Sequence, residues 1–381
     1  GVVIEPTYLV KEGITRWEDV KRILCGSMYP TRSMEENMAD LNGALASIRT
    51  GVQGIQALCR LHETESVMPY MEALQHYSAQ CLADMFEGMS CDAWKASEYL
   101  DDGHCIQVAI KKDRQQVHFD FTGSSGIHPG NLNATYAIVN SSVIYVLKLM
   151  IRQPIPLNEG IMRPVKITVP SGFLNPDFHE DAEQCPAVVG GNTETSQRIV
   201  DTLIKAFGLA SCSQGTMNNL IFGNKKFGFY ETIGGGVGAG PGFHGADAVH
   251  QHMTNTRITD PEIMEHRYPV QVERMAVRRG SGGNGQWHGG DGIIREIIFH
   301  EPVDLNILSQ HRSQHPYGLS GGEDGATGDQ YIIRVDGSRE KLSGVEGAKL
   351  NAGDRVVIET PGGGGYGQKA ERGGEESSSG N

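Results

Sequence analysis

The segment "IQVAIKKDRQQVHFDFTG" at Ile106–Gly123 decides the class of fold. Apolar and polar residues alternate on both sides of a short polar turn, and this period of two residues is typical of paired β-strands. The segment therefore predicts a β-hairpin over Ile106–Phe121. Because helical patterns lie on both sides of the hairpin, we predict an α+β fold.

Two helical patterns precede the hairpin. Their apolar residues recur at alternating steps of three and four, which places them on one stripe of a helix. The first stripe holds Met38, Leu41, Leu45, Ile48, Val52, Ile55 and Cys59, and the second holds Met71, Leu74, Ser78, Cys81 and Met85. The break near residues 62–66 predicts two antiparallel helices. We interpret them as a packed structural arm, because the inward Glu and His pairs of a metal-binding bundle are absent.

The chain after the hairpin first continues as mixed α and β structure. A helix is predicted from about Asn133 to Ile151 and a strand over Val165–Val169. The segment "TETSQRIVDTLIKAFG" predicts an amphipathic helix, with Thr193 or Thr195 as its N-cap and Gly208 as its end.

Beyond Gly215 the sequence becomes largely β. Short alternating segments are separated by glycine turns. The predicted strands are Ile293–Phe299, Leu305–Leu308, Tyr331–Val335 and Arg355–Glu359. The predicted organisation is a helical arm over 1–104, a mixed α/β core over 105–215, a glycine-rich, β-rich catalytic region over 216–367, and a disordered tail over 368–381.

Composition excludes several functional classes. A formal net charge of −13 without a basic stretch argues against nucleic acid as a partner. The sequence has no apolar window long enough for a spanning helix and no visible signal peptide, which argues against a membrane partner. The seven cysteines lack C-x-x-C spacing, so neither a disulfide framework nor a zinc ribbon is indicated, and a cytoplasmic location is expected.

Two glycine motifs match a dinucleotide-binding pattern without supporting it. The segments 240–245 and 280–285 both fit G-x-G-x-x-G, but with this much glycine about one match is expected by chance. Neither opens an evident helix, and no G-x-x-x-x-G-K-[ST] motif occurs. Nucleotide binding by this chain alone is therefore poorly supported.

The polar segment "HGADAVHQHMTNTRITDPE", from His244 to Glu262, is the strongest candidate for chemistry. If His250 and His252 lie on an extended segment, their side chains share one face. Imidazoles transfer protons near neutral pH, and the Arg257 guanidinium can hold a carboxylate or phosphate through two hydrogen bonds. The alternative is that these polar groups satisfy the backbone of the glycine loops and one another.

The segment "YPTRSMEENMADLNGALA" from Tyr29 resembles the oxoprolinase-like branch of the hydantoinase B and 5-oxoprolinase family. Long motifs in the second half of the chain resemble the same family. They are "YETIGGGVGAGPGFHGADAVHQHMTNTRITDPEIMEHRYPV" from Tyr230, "RRGSGGNGQWHGGDGIIRE" from Arg278 and "ETPGGGGYG" from Glu359. Further matches begin at Pro156 ("PLNEG"), Val188 ("VVGGNTETSQRIVD") and Ser213 ("SQGTMNNLIFGN"). The resemblance covers nearly the whole chain.

The resemblance implies ATP-dependent chemistry on a carbonyl group. Family members open cyclic amides such as 5-oxoproline or hydantoins, or carboxylate ketones, while a separate A-type subunit binds ATP and Mg. The B-type component would hold the phosphorylated intermediate, deliver water and stabilise the oxyanion. We expect this chain to be the C-terminal portion of the B-type component of a cyclic amide hydrolase. The alternatives are a component of a ketone carboxylase and a non-catalytic scaffold.

The candidate catalytic residues are His250, His252, Arg257 and Asp247. The candidate substrate-binding residues are Asn133, Asn192, Glu194, Gln214, Asn218 and Asn219, although Glu194 also fits a helix-capping role. We expect no metal ligands in this chain, because His250, His252 and Asp247 would still need a further firm ligand.

The family also implies partners for this chain. Its members carry a preceding segment, rich in His and Asp, that supplies a metal site in the ketone carboxylases. We therefore expect an N-terminal B-type piece that completes the fold and holds any divalent metal, an A-type ATP-binding subunit, and a small-molecule substrate. Whether this piece is a second polypeptide or part of a longer, cleaved chain stays open.

Overall fold

The computed structural model describes residues 4–26, 30–113, 116–181 and 184–369. The helices are α1 (Trp17–Cys25), α2 (Met34–His62), α3 (Thr64–Glu87), α4 (Tyr136–Met150), α5 (Ser196–Phe207) and α6 (Pro261–Arg267). The strands of the first part are β1 (Val10–Lys11), β2 (Ile14–Thr15), β3 (Ala93–Tyr99), β4 (Cys105–Asp113), β5 (Gln116–Asp120) and β6 (Val165–Thr168). Those of the second part are β7 (Asn219–Gly223), β8 (Gly228–Glu231), β9 (Val270–Arg278), β10 (Gly292–Phe299), β11 (Val303–Leu308), β12 (Asp329–Ile333), β13 (Arg339–Lys341), β14 (Val345–Leu350) and β15 (Arg355–Glu359).

The first hydrophobic core lies between a four-stranded sheet and three helices. The sheet has the order β3-β4-β5-β6, in which the β5 and β6 pair is parallel. Alternate residues of β4 point into the core, so Ile106, Val108 and Ile110 are fully buried. Apolar residues of α3, α4 and α5 pack in the same cluster. This core fixes the position of α5, which carries much of the candidate site.

The second hydrophobic core is formed by strands from two further sheets. Their orders are β13-β12-β15-β10-β9 and β14-β11-β7-β8, with antiparallel pairing throughout. Phe222 on β7 packs edge-on against Phe299 on β10, with 5.0 Å between the ring centroids. Two aromatic side chains from facing strands thus anchor this β-rich half.

Glycine-rich segments pack backbone against backbone beside the second core. The amide of Gly363 donates to the carbonyl of Gly290, and the amide of Gly290 donates to the carbonyl of Val237. A methyl group built on Gly363 would overlap the Val237 carbonyl oxygen. The glycines at these positions therefore allow a close approach of main chains that no side chain would permit.

The α+β class and the main predicted elements are confirmed. The hairpin forms from β4 and β5, and β6, β10, β11, β12 and β15 match the predicted strands within a few residues. Strand β3 pairs with β4 across the boundary predicted at residue 105. The two helices of the arm are also present as α2 and α3. No residue of α2 is buried, however, and Ile48 of its apolar stripe is 63% exposed.

Thr195 is the N-cap residue of α5, one of the two predicted positions, but its side chain makes no capping hydrogen bond. Residues Gly191–Thr195 form a π-helical turn, and no side chain caps the helix. The Thr195 hydroxyl instead donates to the carbonyl of Leu132. Gly208 does end the helix, in the left-handed conformation with φ of 65°. None of the helices in the described ranges has the length and apolarity needed to cross a bilayer. The predicted tail lies outside the described residues from residue 370 onward.

Candidate functional site

His252 and Asp201 form the centre of the candidate site. Asp201 lies on α5 with no exposed side-chain surface, and its Oδ1 is 3.6 Å from Nε2 of His252. The other ring nitrogen of His252 lies 3.2 Å from the hydroxyl of Tyr145 on α4. A carboxylate on one side leaves the second imidazole nitrogen able to exchange a proton. This arrangement suits a general base or acid.

The backbone at His252 is strained. Its φ is 55°, a left-handed value that costs free energy in a residue with a β-carbon. The extended segment that would have placed His250 and His252 on one face is therefore not formed here. Because the chain turns here, His250 and His252 do not share a strand face. The turn directs the His252 ring towards α5.

Gln197 on α5 holds this turn through three hydrogen bonds. Its side-chain amide donates to the carbonyl of Gln251 and to the hydroxyl of Thr254, and its Oε1 accepts from the amide of Met253. These contacts surround His252 on both sides in sequence. Gln197 is thus a positioning residue for the imidazole.

Asp201 remains ionised although it is buried. Burial opposes the charge, but His252, Arg198 and the Ser213 amide together hold the pKa of the Asp201 carboxyl below its usual value. Ser213 donates to Asp201 through both its amide, at 3.1 Å, and its hydroxyl, at 2.9 Å. A fixed negative charge therefore stands behind the His252 ring.

A cavity of about 260 Å³ opens beside His252. Its wall includes Ser211, Gly238 and Phe243 and the apolar side chains of Leu149 and Ile204. A mostly apolar cavity with a few polar groups is the usual form of a small-molecule site. Within this wall, His252 is the titratable side chain.

A second buried cluster adjoins Asp201 on α5. Arg198 donates to the carbonyl of Tyr99 at 2.7 Å and pairs with Glu98, which also contacts Lys205. Burial and the Arg198 charge lower the pKa of His311 to about 3, so its imidazole is neutral. Burial raises the pKa of the Cys212 thiol, whose Sγ lies 3.6 Å from Nε2 of His311. A thiol that stays protonated is not an activated nucleophile, which favours a structural role for Cys212.

Four of the predicted substrate-binding residues form one buried hydrogen-bond network. Oε1 of Glu194 accepts from the side chain of Asn219 at 2.6 Å and from the amide of Met217 at 3.1 Å. The side chain of Asn218 donates to Gln214 at 2.8 Å. Arg312 donates to Asn218 at 2.9 Å. Burial raises the pKa of Glu194 to about 8, so the buried carboxyl is neutral at pH 7.

Buried polar atoms without a hydrogen-bond partner concentrate around the start of α5. Among the described residues they are Thr193 Oγ1, Glu194 Oε2, Arg198 Nε and Nη1, Gln214 Nε2 and Gln251 Oε1. Leaving such atoms unpaired is costly, and they cluster where a protein binds water or a ligand. A π-helical turn, also present here at Gly191–Thr195, is frequent at functional sites.

The remaining predicted catalytic residues occupy other positions. The ring of His250 lies 3.0 Å from the carbonyl of Thr232. Asp247 accepts from the amide of Asp291 and from Arg279, with both contacts on the outer surface. Arg257 is exposed in the loop before α6. The structure thus brings His252 to Asp201 and the cavity, while His250 and Asp247 contact other groups and Arg257 is exposed.

Two predicted substrate-binding residues also lie apart from the Glu194 network. Asn192 is exposed at the start of the π-helical turn. Asn133 is fully buried, and its Oδ1 accepts from the amide of His128 at 2.7 Å. Its amide group donates to the carbonyls of His128, Gly130 and Ala187. Asn133 therefore shapes the loop that carries His128.

Sequence reasoning missed Asp201, Gln197 and Tyr145. All three lie inside regular helices. There the periodicity of apolar residues is the main sequence signal, and a single polar residue does not stand out. The polar residues on the predicted helix face of "TETSQRIVDTLIKAFG" were the available signal, since a buried polar residue needs a partner. The grouping of Asp102, His104 and His128 was also not predicted from the sequence. Their ligand atoms lie within 4.8 Å of one another.

The hydantoinase B/oxoprolinase family model matches residues 1–369 of the chain. The chain belongs to this family. It is 39% identical to 5-oxoprolinase 1 of Arabidopsis thaliana over 96% of its own length, and spans 30% of that relative. An ATP-dependent caprolactamase from Pseudomonas jessenii has a similar fold, with a TM-score of 0.85 at 21% identity, covering 97% of this chain and 67% of the other. A nucleotide-free acetone carboxylase is also similar, with a TM-score of 0.79 at 15% identity over 95% of this chain and 56% of the other.

Proposed function

We propose that this member of the hydantoinase B/oxoprolinase family acts as the C-terminal portion of the B-type component of an ATP-dependent hydrolase that opens a cyclic amide, either 5-oxoproline or a hydantoin-like lactam. The relative named 5-oxoprolinase 1, of which the chain spans 30%, supports this substrate class. The caprolactamase with a similar fold supports it by analogy, since that enzyme is named for a lactam.

The observation that carries the proposal is the position of His252. Its ring is held by a strained turn, backed by the buried Asp201 carboxylate and set in the wall of a mostly apolar cavity. A lactam carbonyl resists water until a phosphoryl group from ATP is transferred to its oxygen. One water attacks the carbon, the C–N bond breaks as the nitrogen gains a proton, and an acyl phosphate is left. A second water then displaces the phosphate and leaves the carboxylate. Nδ1 of His252, which lies beside the Tyr145 hydroxyl, would accept a proton from the attacking water, and Asp201 would stabilise the imidazolium that forms.

In this proposal ATP and Mg are bound by a partner A-type subunit, as the resemblance to the family implies. Any divalent metal of the preceding B-type segment would be held outside the residues of this chain. In this proposal the site is completed in the cytoplasm, in a complex of the two B-type parts and the A-type subunit. We expect the chain to sediment as part of that complex. A well-folded and active monomer would contradict this assembly.

His250, Arg257 and Asp247 would have different roles in this proposal. Arg257 is exposed, so an anion clamp at this position requires a substrate or subunit that covers the loop before α6. His250 and Asp247 hold neighbouring backbone through the Thr232 carbonyl and the Asp291 amide. Turnover that survives both Arg257→Ala and His252→Ala in the complex would favour a non-catalytic scaffold.

Ketone carboxylation is the second candidate function. It is favoured by the fold similarity to acetone carboxylase. The two reactions differ in their co-substrate, because carboxylation consumes bicarbonate and cyclic amide hydrolysis consumes water.

One experiment separates the two functions. The chain is co-expressed with its A-type and preceding B-type parts, and ADP release is measured with 5-oxoproline, with hydantoin and with acetone plus bicarbonate. Equal amounts of ADP and ring-opened product, without a bicarbonate requirement, would support the proposed hydrolase. ADP release that depends on both ketone and bicarbonate would replace it with the carboxylase.

A further inference from the structure

We infer that Asp102, His104 and His128 bind a divalent transition-metal ion such as Zn²⁺. The Oδ2 atom of Asp102 lies 3.0 Å from Nδ1 of His104 and 2.6 Å from Nε2 of His128. One carboxylate oxygen and two imidazole nitrogens therefore face a common point. The cluster shares no residue with the site around His252.

The donor set selects the type of metal. Imidazole nitrogens suit Zn²⁺ and its first-row neighbours, whereas Mg²⁺ and Ca²⁺ prefer oxygen ligands. Three protein ligands leave a coordination position open for water or another oxygen donor. The ligand atoms are closer together than metal bonds of about 2 Å at tetrahedral angles require, so they must separate slightly on binding.

Contacts outside the three residues hold the ligands in place. Neighbouring Asp101 accepts from the amides of Arg312, Ser313 and Gln314, which ties the loop between β3 and β4 to the β-rich half. Asn133 holds the main chain of His128 through both its amide and its carbonyl. Such supporting contacts are typical of metal sites, where they orient the ligands.

Metal binding would require a change of tautomer at His128. Nδ1 of His128 accepts from the amide of Gly130 at 2.8 Å, so the neutral ring carries its proton on Nε2 and donates to Asp102. When the metal takes Nε2, that ring proton moves to Nδ1, and the Gly130 amide must turn away. The loss of one neutral hydrogen bond is small beside the coordination bonds gained. His104 needs only to carry its proton on Nε2.

The site opens into a cavity of about 310 Å³ between the two halves of the molecule. Its wall includes Asp102, His128, Gln310 and the main chain near Gly344. The open coordination position would take a small oxygen ligand from this cavity, such as a carboxylate. A metal bound here would also join the loop after β3 to the loop before α4.

The test is a titration of the metal-free full chain with ZnCl₂, followed by calorimetry and by elemental analysis after dialysis. We expect a single bound equivalent of Zn²⁺, no displacement by excess MgCl₂, and a higher thermal midpoint in the loaded protein. Removing a ligand by His104→Ala or His128→Ala should weaken binding by more than the roughly ten- to hundredfold typical for loss of a supporting contact. Asp102→Asn keeps the size of the side chain and should weaken binding without unfolding the chain.

His76→Ala is the matched control, because His76 pairs with Glu72 on the surface of α3 without a third ligand residue. It should bind Zn²⁺ like the wild type. The inference is overturned if the folded wild type binds no Zn²⁺, if Mg²⁺ competes equally, or if binding survives in the folded Asp102→Asn variant.

Discussion

Asp201 and His252 meet across the boundary between α5 and the glycine-rich half, with 3.6 Å between Oδ1 and Nε2. The carboxylate is fully buried and the imidazole is 12% exposed. The pair thus joins a fixed charge in the interior to a titratable group at a cavity wall. Substitutions of His252 and of Gln197 would both disturb this pair.

Replacing His252 with alanine should reduce product formation on the order of a hundredfold, the usual cost of losing a general base. ATP hydrolysis should continue, because phosphoryl transfer would occur in the partner subunit. The measurement compares ADP release, ring-opened product and metal content in the assembled complex. His266→Ala on exposed α6 is the control and should behave like the wild type. A loss of metal with the His252 variant would contradict the proton-transfer role and indicate a ligand.

Replacing Gln197 with alanine should lower the turnover number about tenfold or more, because the turn that carries His252 loses three contacts. If Gln197 had a purely structural role, the loss of turnover in Gln197→Ala would add to the loss caused by His252→Ala. If Gln197 acts by positioning His252, the double variant should be no slower than His252→Ala alone. Additive losses of turnover in this double-mutant cycle would refute the positioning role.

The stability of the chain should depend on pH through Glu194. Its pKa is 4.5 in the reference state and about 8 in the fold, mainly because of burial. Between these values the folded state binds more protons than the unfolded state, so this site lowers the free energy of unfolding as the pH rises from 4.5 to about 8. Above that pH window the decrease in the free energy of unfolding, on the order of a few kcal/mol, is complete.

The Glu194→Gln variant is neutral at every pH and isolates this effect. Urea unfolding at several pH values should show the variant gaining stability relative to the wild type as the pH rises. Glu262→Gln on exposed α6 should give no such trend. Parallel stability profiles of the Glu194→Gln variant and the wild type would show that the buried carboxyl does not carry the raised pKa.

Gly363→Val should destabilise the chain by roughly 3 kcal/mol or more, because the new side chain overlaps the Val237 carbonyl. Thermal unfolding and recovery of the assembled complex would measure the loss. Gly51→Ala is the control, since Gly51 lies in α2 with no atom near its added methyl group. That change should stabilise the chain by about 0.5–1 kcal/mol through helix propensity. Wild-type stability of Gly363→Val would mean that the backbone contacts at Gly363 are dispensable.

The sequence predicted elements better than it predicted the site. Alternation in β4 and β5 and the apolar stripe of α2 were sufficient to find those elements, because periodicity follows from local geometry. The apolar stripe of α2 does not show which residues pack against it. In the structure Ile48 of this stripe is exposed. Periodicity identifies a face of a helix but not its neighbour.

The site depends on contacts between distant positions. The polar segment around His252 was visible in the sequence, but its turn at φ of 55° was not. Asp201 precedes His252 by many residues and looks like one polar position on an amphipathic helix. The pairing of the two required tertiary structure, as did the approach of Asp102 to His128.

The backbone contacts among the glycine-rich segments restrict how this protein can be altered. Where the main chains of two glycines touch, as at Gly290 and Gly363, there is no side-chain volume to enlarge, trim or exchange. Cavity filling and core redesign, the common routes to a more stable variant, cannot be applied there. If the cavity beside His252 binds the substrate, as proposed, the substrate range would be altered through Leu149, Ile204 and Phe243, whose side chains line it.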